Sequence, residues 1–273
     1  MRKAISSISN PLIKETYDLH SKKYRTERSA FIVEGTRCVE EALASGWEIE
    51  NIFYDESVNS ARTRETAEKA EKEGVAVFAV TPEVMKKLSD TETPQGILAT
   101  VRRSSVDLTG FTDREDGLIL IVDEIRDPGN LGTIIRTADA AGITAVVLLA
   151  GCADLYAPKT VRATMGSLFH LPLVVNQDKE ELITWCRKND WQIVASSLSG
   201  ADSIYEFAQP KRCALILGNE ASGVSSPLLA AADHKVFVPM RGTAESLNVA
   251  VAAGIILFEF LRAGLVTKNK GVL

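Results

Sequence analysis

The sequence predicts an α/β protein in two parts, and three observations carry the prediction. Short apolar runs alternate with stretches of helical period along nearly the whole chain. A polar stretch from Arg102 to Asp116, holding Ser104, Ser105, Asp107, Thr109, Gly110 and Asp113, interrupts the alternation and reads as a linker. From Gly117 the alternation becomes strict. Its short apolar runs suit strands buried on both faces of a mainly parallel sheet with helices on either side. The domains expected are residues 1–102, a linker at 103–116, and residues 117–273.

In the first part, Ile8 to Asp18 has a weak helical period, and Phe31 to Val33 is strand-like. Cys38, Val39, Ala42 and Leu43 recur at helical spacing, and Ile49 to Tyr54 is strand-like. Ala61 to Glu73 is so charged that it reads as an exposed helix. Val75 to Val80 and Gly96 to Val101 are strands, and Thr81 with Pro82 starts a helix between them. Together these make a small α/β domain. In the second part, strands are expected at Leu118 to Val122, Ala145 to Leu149, Leu171 to Val175, Ile193 to Ala195, Ala214 to Leu217 and Val236 to Val238. Helical patterns fall between most of them, with Lys179 to Lys188 and Leu247 to Arg262 the clearest. Taken alone, this rhythm suggests a Rossmann-like topology.

The 273 residues are 45% hydrophobic and 25% charged, an ordinary globular balance. There is no N-terminal apolar run of signal-peptide kind. The most apolar segment, Val249 to Phe258, is about half as long as a membrane helix needs. A cytoplasmic protein with no membrane contact is expected. Cys38, Cys152, Cys186 and Cys213 are scattered without a CxxC pair, and His20, His170 and His234 are isolated, so neither a disulfide framework nor a metal site is expected. The net charge of −5 argues against general binding of polyanions. Arg2, Lys3, Lys14, Lys22, Lys23, Arg25 and Arg28 nevertheless concentrate positive charge near the N-terminus, enough for a local phosphate-binding surface or for a solvated helix face.

Three polar, glycine-marked segments carry the chemistry. In DEIRDPGNLGTIIRTADAAG (Asp123 to Gly142), Asp127-Pro128-Gly129 is a turn and a helix begins near Asn130. Gly129, Gly132 and Arg136 share a face away from the apolar stripe, which suits approach of another molecule under Arg136; surface pairing with Asp139 or Glu124 is the simpler alternative. LILGNEASGV (Leu215 to Val224) ends a strand and turns at Ser222-Gly223. Glycine there permits close approach of a ligand. Glu220 would repel a phosphate and tolerate a cation such as a sulfonium. In VFVPMRGTAESLNVAVAAGIILFEFLR (Val236 to Arg262), Ser246 is a candidate helix cap, and Asn248 stands at the mouth of a helix apolar on all sides. Such a helix is buried in the domain or between subunits, and a buried Asn248 needs partners, which a ligand or the Arg136 region could supply.

Asn130, Gly132 and Arg136; Gly218, Asn219, Glu220 and Gly223; and Ser246, Leu247, Asn248 and Val249 resemble, in order, the three signature motifs of the SpoU/TrmH family of RNA 2′-O-ribose methyltransferases, in the SPOUT superfamily. YRTERSAFIVEG (Tyr24 to Gly35) resembles the substrate-binding domain often fused to it, a ribosomal-protein-like RNA-binding fold. The resemblance implies a deep trefoil knot, with Leu247 to Arg262 threaded through the preceding loop. It also implies S-adenosylmethionine as methyl donor, an RNA ribose as acceptor, a homodimer with the site at its interface, and no metal. Arg136 matches the family's catalytic arginine, with Asn130, Glu220, Ser246 and Asn248 as its partners in positioning ribose and cofactor. Gly218, Val238, Leu247 and, less directly, Leu198 are the implied cofactor residues. Lys14, Lys22, Lys23, Arg25 and Arg28 are the implied RNA-phosphate contacts. Ribosomal RNA is the implied substrate, with tRNA the alternative.

Two readings from other classes stay open. A nicotinamide-dependent enzyme would want G-x-G-x-x-G after the first strand of the second domain, where DEIRDPGNLG stands instead. A non-catalytic RNA-binding protein of the same fold would be favoured by loss of Arg136 or Asn248, and both are present.

Overall fold

The computed structural model describes residues 3–104 and 106–269; Arg2 and Ser105 lie outside them. The chain folds into two compact units that do not follow chain order. One comprises Met1–Ser104 with Asp154–His170, the other Ser105–Ala153 with Leu171–Leu273.

The first unit opens with β1 (Lys3–Ile5), α1 (Pro11–Asp18), α2 (Lys22–Arg28), β2 (Ala30–Glu34) and α3 (Thr36–Ala44). It continues with β3 (Ile49–Tyr54), α4 (Ala61–Lys72), β4 (Val77–Val80), α5 (Pro82–Leu88) and β5 (Ile97–Arg102). Proline in the first turn of α1 and of α5 follows a side-chain cap, Asn10 accepting from the Leu12 N–H and Thr81 from that of Val84. The five strands lie in the order β1-β4-β3-β5-β2, parallel at β1/β4 and β3/β4 and antiparallel where β5 pairs with β2 and β3. Strand β4 starts two residues later than its apolar run, because the Val75 N–H closes the end of α4 on the Ala70 carbonyl instead of joining the sheet. Helix α2 gave no apolar period, since KKYRTER is polar on nearly every side.

The chain then enters the second unit through β6 (Gly117–Val122), α6 (Pro128–Ala140) and β7 (Ala145–Leu149). It crosses back to give α7 (Pro158–Thr164) to the first unit. It returns as β8 (Leu173–Gln177), α8 (Lys179–Lys188), β9 (Gln192–Ser196), β10 (Asp202–Ser203), β11 (Arg212–Leu217), α9 (Ser226–Ala231), β12 (His234–Phe237) and α10 (Val249–Asn269). The excursion from Asp154 to His170 was expected to stay with the second domain. Aromatic packing and an ion pair hold it in the first unit. Tyr156 packs at a tilt on Phe31 at 4.8 Å, Phe169 stacks on it at 6.4 Å, Trp47 meets Phe169 edge-on at 5.2 Å, and Asp154 pairs with Arg25. The segment from Arg102 to Asp116 is likewise no free spacer. Leu108 and Phe111, on one short 3₁₀ turn, join Ile119, Ile121, Val147 and Trp191 in the core of the second unit.

Every pairing in the seven-stranded sheet is parallel, in the order β10-β12-β9-β11-β6-β7-β8. This meets the expectation of a parallel sheet but not of a Rossmann-like order, because β11, later in the chain than both, lies between β6 and β9. Strand β8 begins at Leu173 rather than Leu171. Pro172 has no N–H to give the ladder and contributes only its carbonyl, to the Val146 N–H. No helix among the described residues is long and apolar enough to cross a membrane.

Candidate active site

With all strands parallel, the C-terminal ends of β6, β11, β9 and β12 share one edge of the sheet as immediate neighbours. The connection after β6 runs through α6 to β7 on one side, and that after β11 runs through α9 to β12 on the other. Departures in opposite directions leave a crevice between two adjacent strand ends, the usual ligand position in open α/β sheets.

Asp127 caps α6, its Oδ1 accepting the Asn130 N–H at 2.7 Å, with Pro128 as the first helical residue. Glycine at 129 follows from that cap, since a Cβ there would stand 2.9 Å from the same oxygen. The loop after β11 doubles back on itself. Asn219 and Gly223 exchange backbone hydrogen bonds of 3.0 and 2.9 Å, and Asn219 Oδ1 accepts from the N–H groups of Ala221 and Ser222. A Cβ at Gly218 would lie 2.2 Å from the Gly223 carbonyl carbon and the Val224 nitrogen. The close approach read from Gly218 is therefore made by the loop's own backbone, and Glu220 is left exposed at its tip.

Asn248 completes the arrangement. Its Oδ1 caps α10, accepting from the Ala250 and Val251 N–H groups at 2.9 and 3.3 Å. With that oxygen used, Nδ2 donates to Asn130 Oδ1 at 3.0 Å, and Asn130 Nδ2 donates to Glu220 Oε1 at 2.6 Å. One directional chain of side-chain hydrogen bonds thus joins all three glycine-marked segments. The cap is Asn248 and not Ser246, so α10 starts two residues after the expected Leu247. Asn248 is also exposed, not buried. Ser246 and Leu247 lie in the irregular, exposed stretch before it.

Arg136 is exposed on α6, and no described residue forms a hydrogen bond or ion pair with it. Glu124, one of the surface partners considered for it, is taken by Arg126 and Lys179. Six positions of a helix amount to a rotation of about 240° and a rise of about 9 Å, so Arg136 leaves α6 on a different side from Asn130. Gly132 is buried, and α6 packs against α10, where a Cβ on Gly254 would meet Thr137 at 3.7 Å.

The cofactor candidates follow neighbouring strands. Gly218 comes directly after β11, Val238 directly after β12, and Leu198 two residues after β9, where its side chain is 70% exposed. Adjacent strands are about 4.8 Å apart, so three consecutive strand ends offer backbone amides and apolar side chains over the span of a nucleoside.

Sequence reading missed a network at the roots of two of these loops. Asp123, 1% exposed at the end of β6, accepts the Ser225 N–H at 2.8 Å. Lys179 Nζ lies 2.9 Å from the other Asp123 oxygen and donates to Glu124 Oε1 and Ser225 Oγ, each at 3.1 Å. The bond from Lys179 holds the Glu124 carboxyl below its ordinary value. Burial disfavours the Lys179 ammonium, but Asp123 and Glu124 outweigh it and raise its pKa. A lysine in the first turn of a helix was the available signal.

In the first unit, Lys14, Lys22 and Lys23 are exposed. Arg28 is half-buried, 3.4 Å from both Glu15 and Glu50. Arg25 does not fit the phosphate-contact expectation. It is 4% exposed, pairs with Asp154 at 2.6 Å and donates to the Leu19 and His20 carbonyls, so its charge is spent internally. The three histidines each have a partner, Leu88, Glu41 and Gln192 in turn, and no group of metal-ligating side chains occurs among the described residues.

Comparison with known proteins agrees with this geometry. Residues 117–258 match the SpoU rRNA Methylase family, and residues 10–99 match the MRM3-like substrate binding domain. The chain is 38% identical to the 23S rRNA (guanosine(2553)-2′-O)-methyltransferase RlmP of Bacillus subtilis, over 94% of this chain and 98% of that one. Its fold superposes with a TM-score of 0.86 on an AdoMet-bound rRNA methyltransferase from Sinorhizobium meliloti, at 35% identity over 96% of this chain and 98% of that one. The AdoMet complex of the SpoU methyltransferase AviRb from Streptomyces viridochromogenes superposes at 0.83, with 30% identity over 94% and 98% of the two chains. A parallel sheet with its polar loops gathered at one edge, the hydrogen-bonded trio drawn from three separate segments, and similarity running through both units have one common explanation: the chain belongs to the SpoU rRNA methylase family.

Proposed function

We propose that this protein transfers a methyl group from S-adenosylmethionine to a ribose 2′-hydroxyl in ribosomal RNA. The observation that carries the reading is the Asn248–Asn130–Glu220 chain, which ties the three motif segments together at the strand ends. Relatives named for ribosomal RNA are matched over 94% and 89% of this chain, whereas a structure titled for methylation of tRNA is matched over 55% of it, and this favours ribosomal RNA over tRNA.

Gly218, Val238, Leu198 and Leu247 are the residues that would hold the adenosyl group. When bound, the cofactor supplies an electrophilic methyl on a sulfonium. The chain's own groups then align the acceptor and manage one proton. Asn130 is held by donors and acceptors on both sides and fixes the direction of the Glu220 carboxylate, which suits a neighbouring cation. The Arg136 guanidinium is a hydrogen-bond donor without an acceptor site, so it is unsuited to remove a proton. Its role is to steady the developing alkoxide or to direct the proton to an RNA phosphate. Ser246, two residues before Asn248 in the chain, is the further hydroxyl proposed to position the ribose.

The working form is a homodimer in the cytoplasm. Val251, Ile255 and Phe258 form an apolar stripe along α10, with Val251 52% and Phe258 47% exposed, a face suited to a second copy. Arg136, leaving α6 away from Asn130, serves the partner's trio in this arrangement. Threading of α10 through the loop before it, as a trefoil knot, belongs to the same reading. Lys14, Lys22 and Lys23 of the first unit contact RNA phosphates, with Arg28 at their margin.

The test is transfer of labelled methyl from S-adenosylmethionine to unmodified ribosomal RNA. Label expected on ribose leaves the adjoining phosphodiester resistant to alkali; label on a base, or none, overturns the reading. Arg136→Ala is expected to lower kcat by at least about a hundredfold with cofactor affinity unchanged.

A further inference from the structure

We propose that Lys179 is a positioning residue for methyl transfer, acting through Asp123, Glu124 and Ser225 to hold the two loops that present Asn130 and Glu220. The proposal rests on the function given above.

Lys179 is the first residue of α8, whose cap is Asp178. A cation there faces the positive end of the helix dipole, so the helix does not explain it. Its ammonium donates to Glu124 Oε1 and Ser225 Oγ, each at 3.1 Å, and lies 2.9 Å from the buried Asp123 Oδ1 as an ion pair. Asp123 and Glu124 begin the turn that leads to Asn130. Ser225 is the residue directly after the loop that carries Glu220. The ammonium therefore joins both roots of the Asn130–Glu220 contact.

Each tie has a physical reason. Asp123 is a buried carboxylate, costly unless compensated, and its second oxygen holds the Ser225 N–H. Glu124 has a backbone φ of +56°, a strained conformation for a side chain of its kind. Three contacts pin it there: its carbonyl accepts from Asn219 Nδ2 at 2.9 Å, and its carboxylate is held by Lys179 through Oε1 and by the exposed Arg126 through Oε2. Without the ammonium, the buried Asp123 carboxylate keeps the Ser225 N–H but loses its counter-charge, and the turn at Glu124 loses one of its three restraints. The Asn130–Glu220 bond of 2.6 Å is then no longer imposed from its roots.

The experiment compares the wild type with Lys179→Met and Lys179→Arg. In Lys179→Met, kcat per folded molecule is expected to fall about tenfold or more, with KM for cofactor and RNA within about threefold. Lys179→Arg is expected to recover to within about threefold of wild type. Amide hydrogen exchange across residues 221–225 is expected to quicken about tenfold in the Met variant and to return in the Arg variant. A lowered Tm with kcat intact would make Lys179 a stability residue only, and a rise in KM alone would make it a binding residue; either result overturns the proposal. So does unchanged exchange in Lys179→Met. If the wild type transfers no methyl, the function itself fails, and the exchange rates still decide whether Lys179 holds the loop.

Discussion

Asn248 shows how one amide can cap a helix and tie two loops together. Its oxygen caps α10 and its nitrogen begins the donor chain to Glu220, so the two halves of the side chain can be tested apart. Asn248→Asp keeps a capping oxygen but cannot donate to Asn130. The expected outcome is a tenfold or greater loss of kcat, with Tm lowered by no more than about 3 °C, read by single-turnover kinetics and thermal unfolding. Asn130, Glu220 and Asn248 were legible in the sequence as polar residues in glycine-marked segments. Their mutual bonding was not, because it spans 90 and 118 positions. Arg25 failed as an RNA contact for a similar reason. A lysine- and arginine-rich helix looks uniformly exposed until the distant Asp154 is placed against one turn of it.

The turn between β6 and α6 is the element on which the site hangs, and its electrostatics give it a pH signature. Glu124 titrates below its ordinary 4.5 in the folded chain, so the stability it lends is complete above pH 4.5 and is lost as pH falls through the lowered value. Lys179 titrates above its ordinary 10.5, so its contribution is complete below pH 10.5 and is lost as pH rises beyond the raised value. Urea midpoints measured against pH are therefore expected to hold a plateau between these limits and to fall at both ends. Both falls should be shallower in Lys179→Met. At this scale the sequence was read well where an apolar run forms a whole strand, as at Ile49–Tyr54 and Ala145–Leu149, or where a side-chain cap starts a helix, as Asp178 does at Lys179–Lys188. It was read less well where proline or a helix end takes a strand's hydrogen bonds, as at Pro172 and Val75.

For the whole molecule, the different sides of α6 taken by Asn130 and Arg136 lead to a mixing test. Arg136→Ala and Asn130→Ala are each expected to be nearly inactive alone. Refolded together in equal amounts, they would regain about a quarter of wild-type activity if Arg136 serves the partner's site. Half the dimers would then be mixed, each with one intact pair. Activity that stays at the level of the parents assigns Arg136 to its own subunit. The parallel sheet and the two-part organisation were readable from periodicity. The insertion of β11 between β6 and β9 was not, since strand order leaves no mark on a single run of residues.

The loan of residues 154–170 to the first unit bears on how the protein is made. On a ribosome, β1 to β5 emerge first but stay short of Tyr156 and Phe169, the rings that cover Phe31 and Trp47. Arg25 waits for Asp154 over the same interval. The aromatic cluster and the Arg25 ion pair of the N-terminal half are completed only after β6 and β7 have been synthesised. A fragment cut after Ser104 would lack part of its own interior, and the complementary fragment would carry Tyr156 and Phe169 bare into solvent.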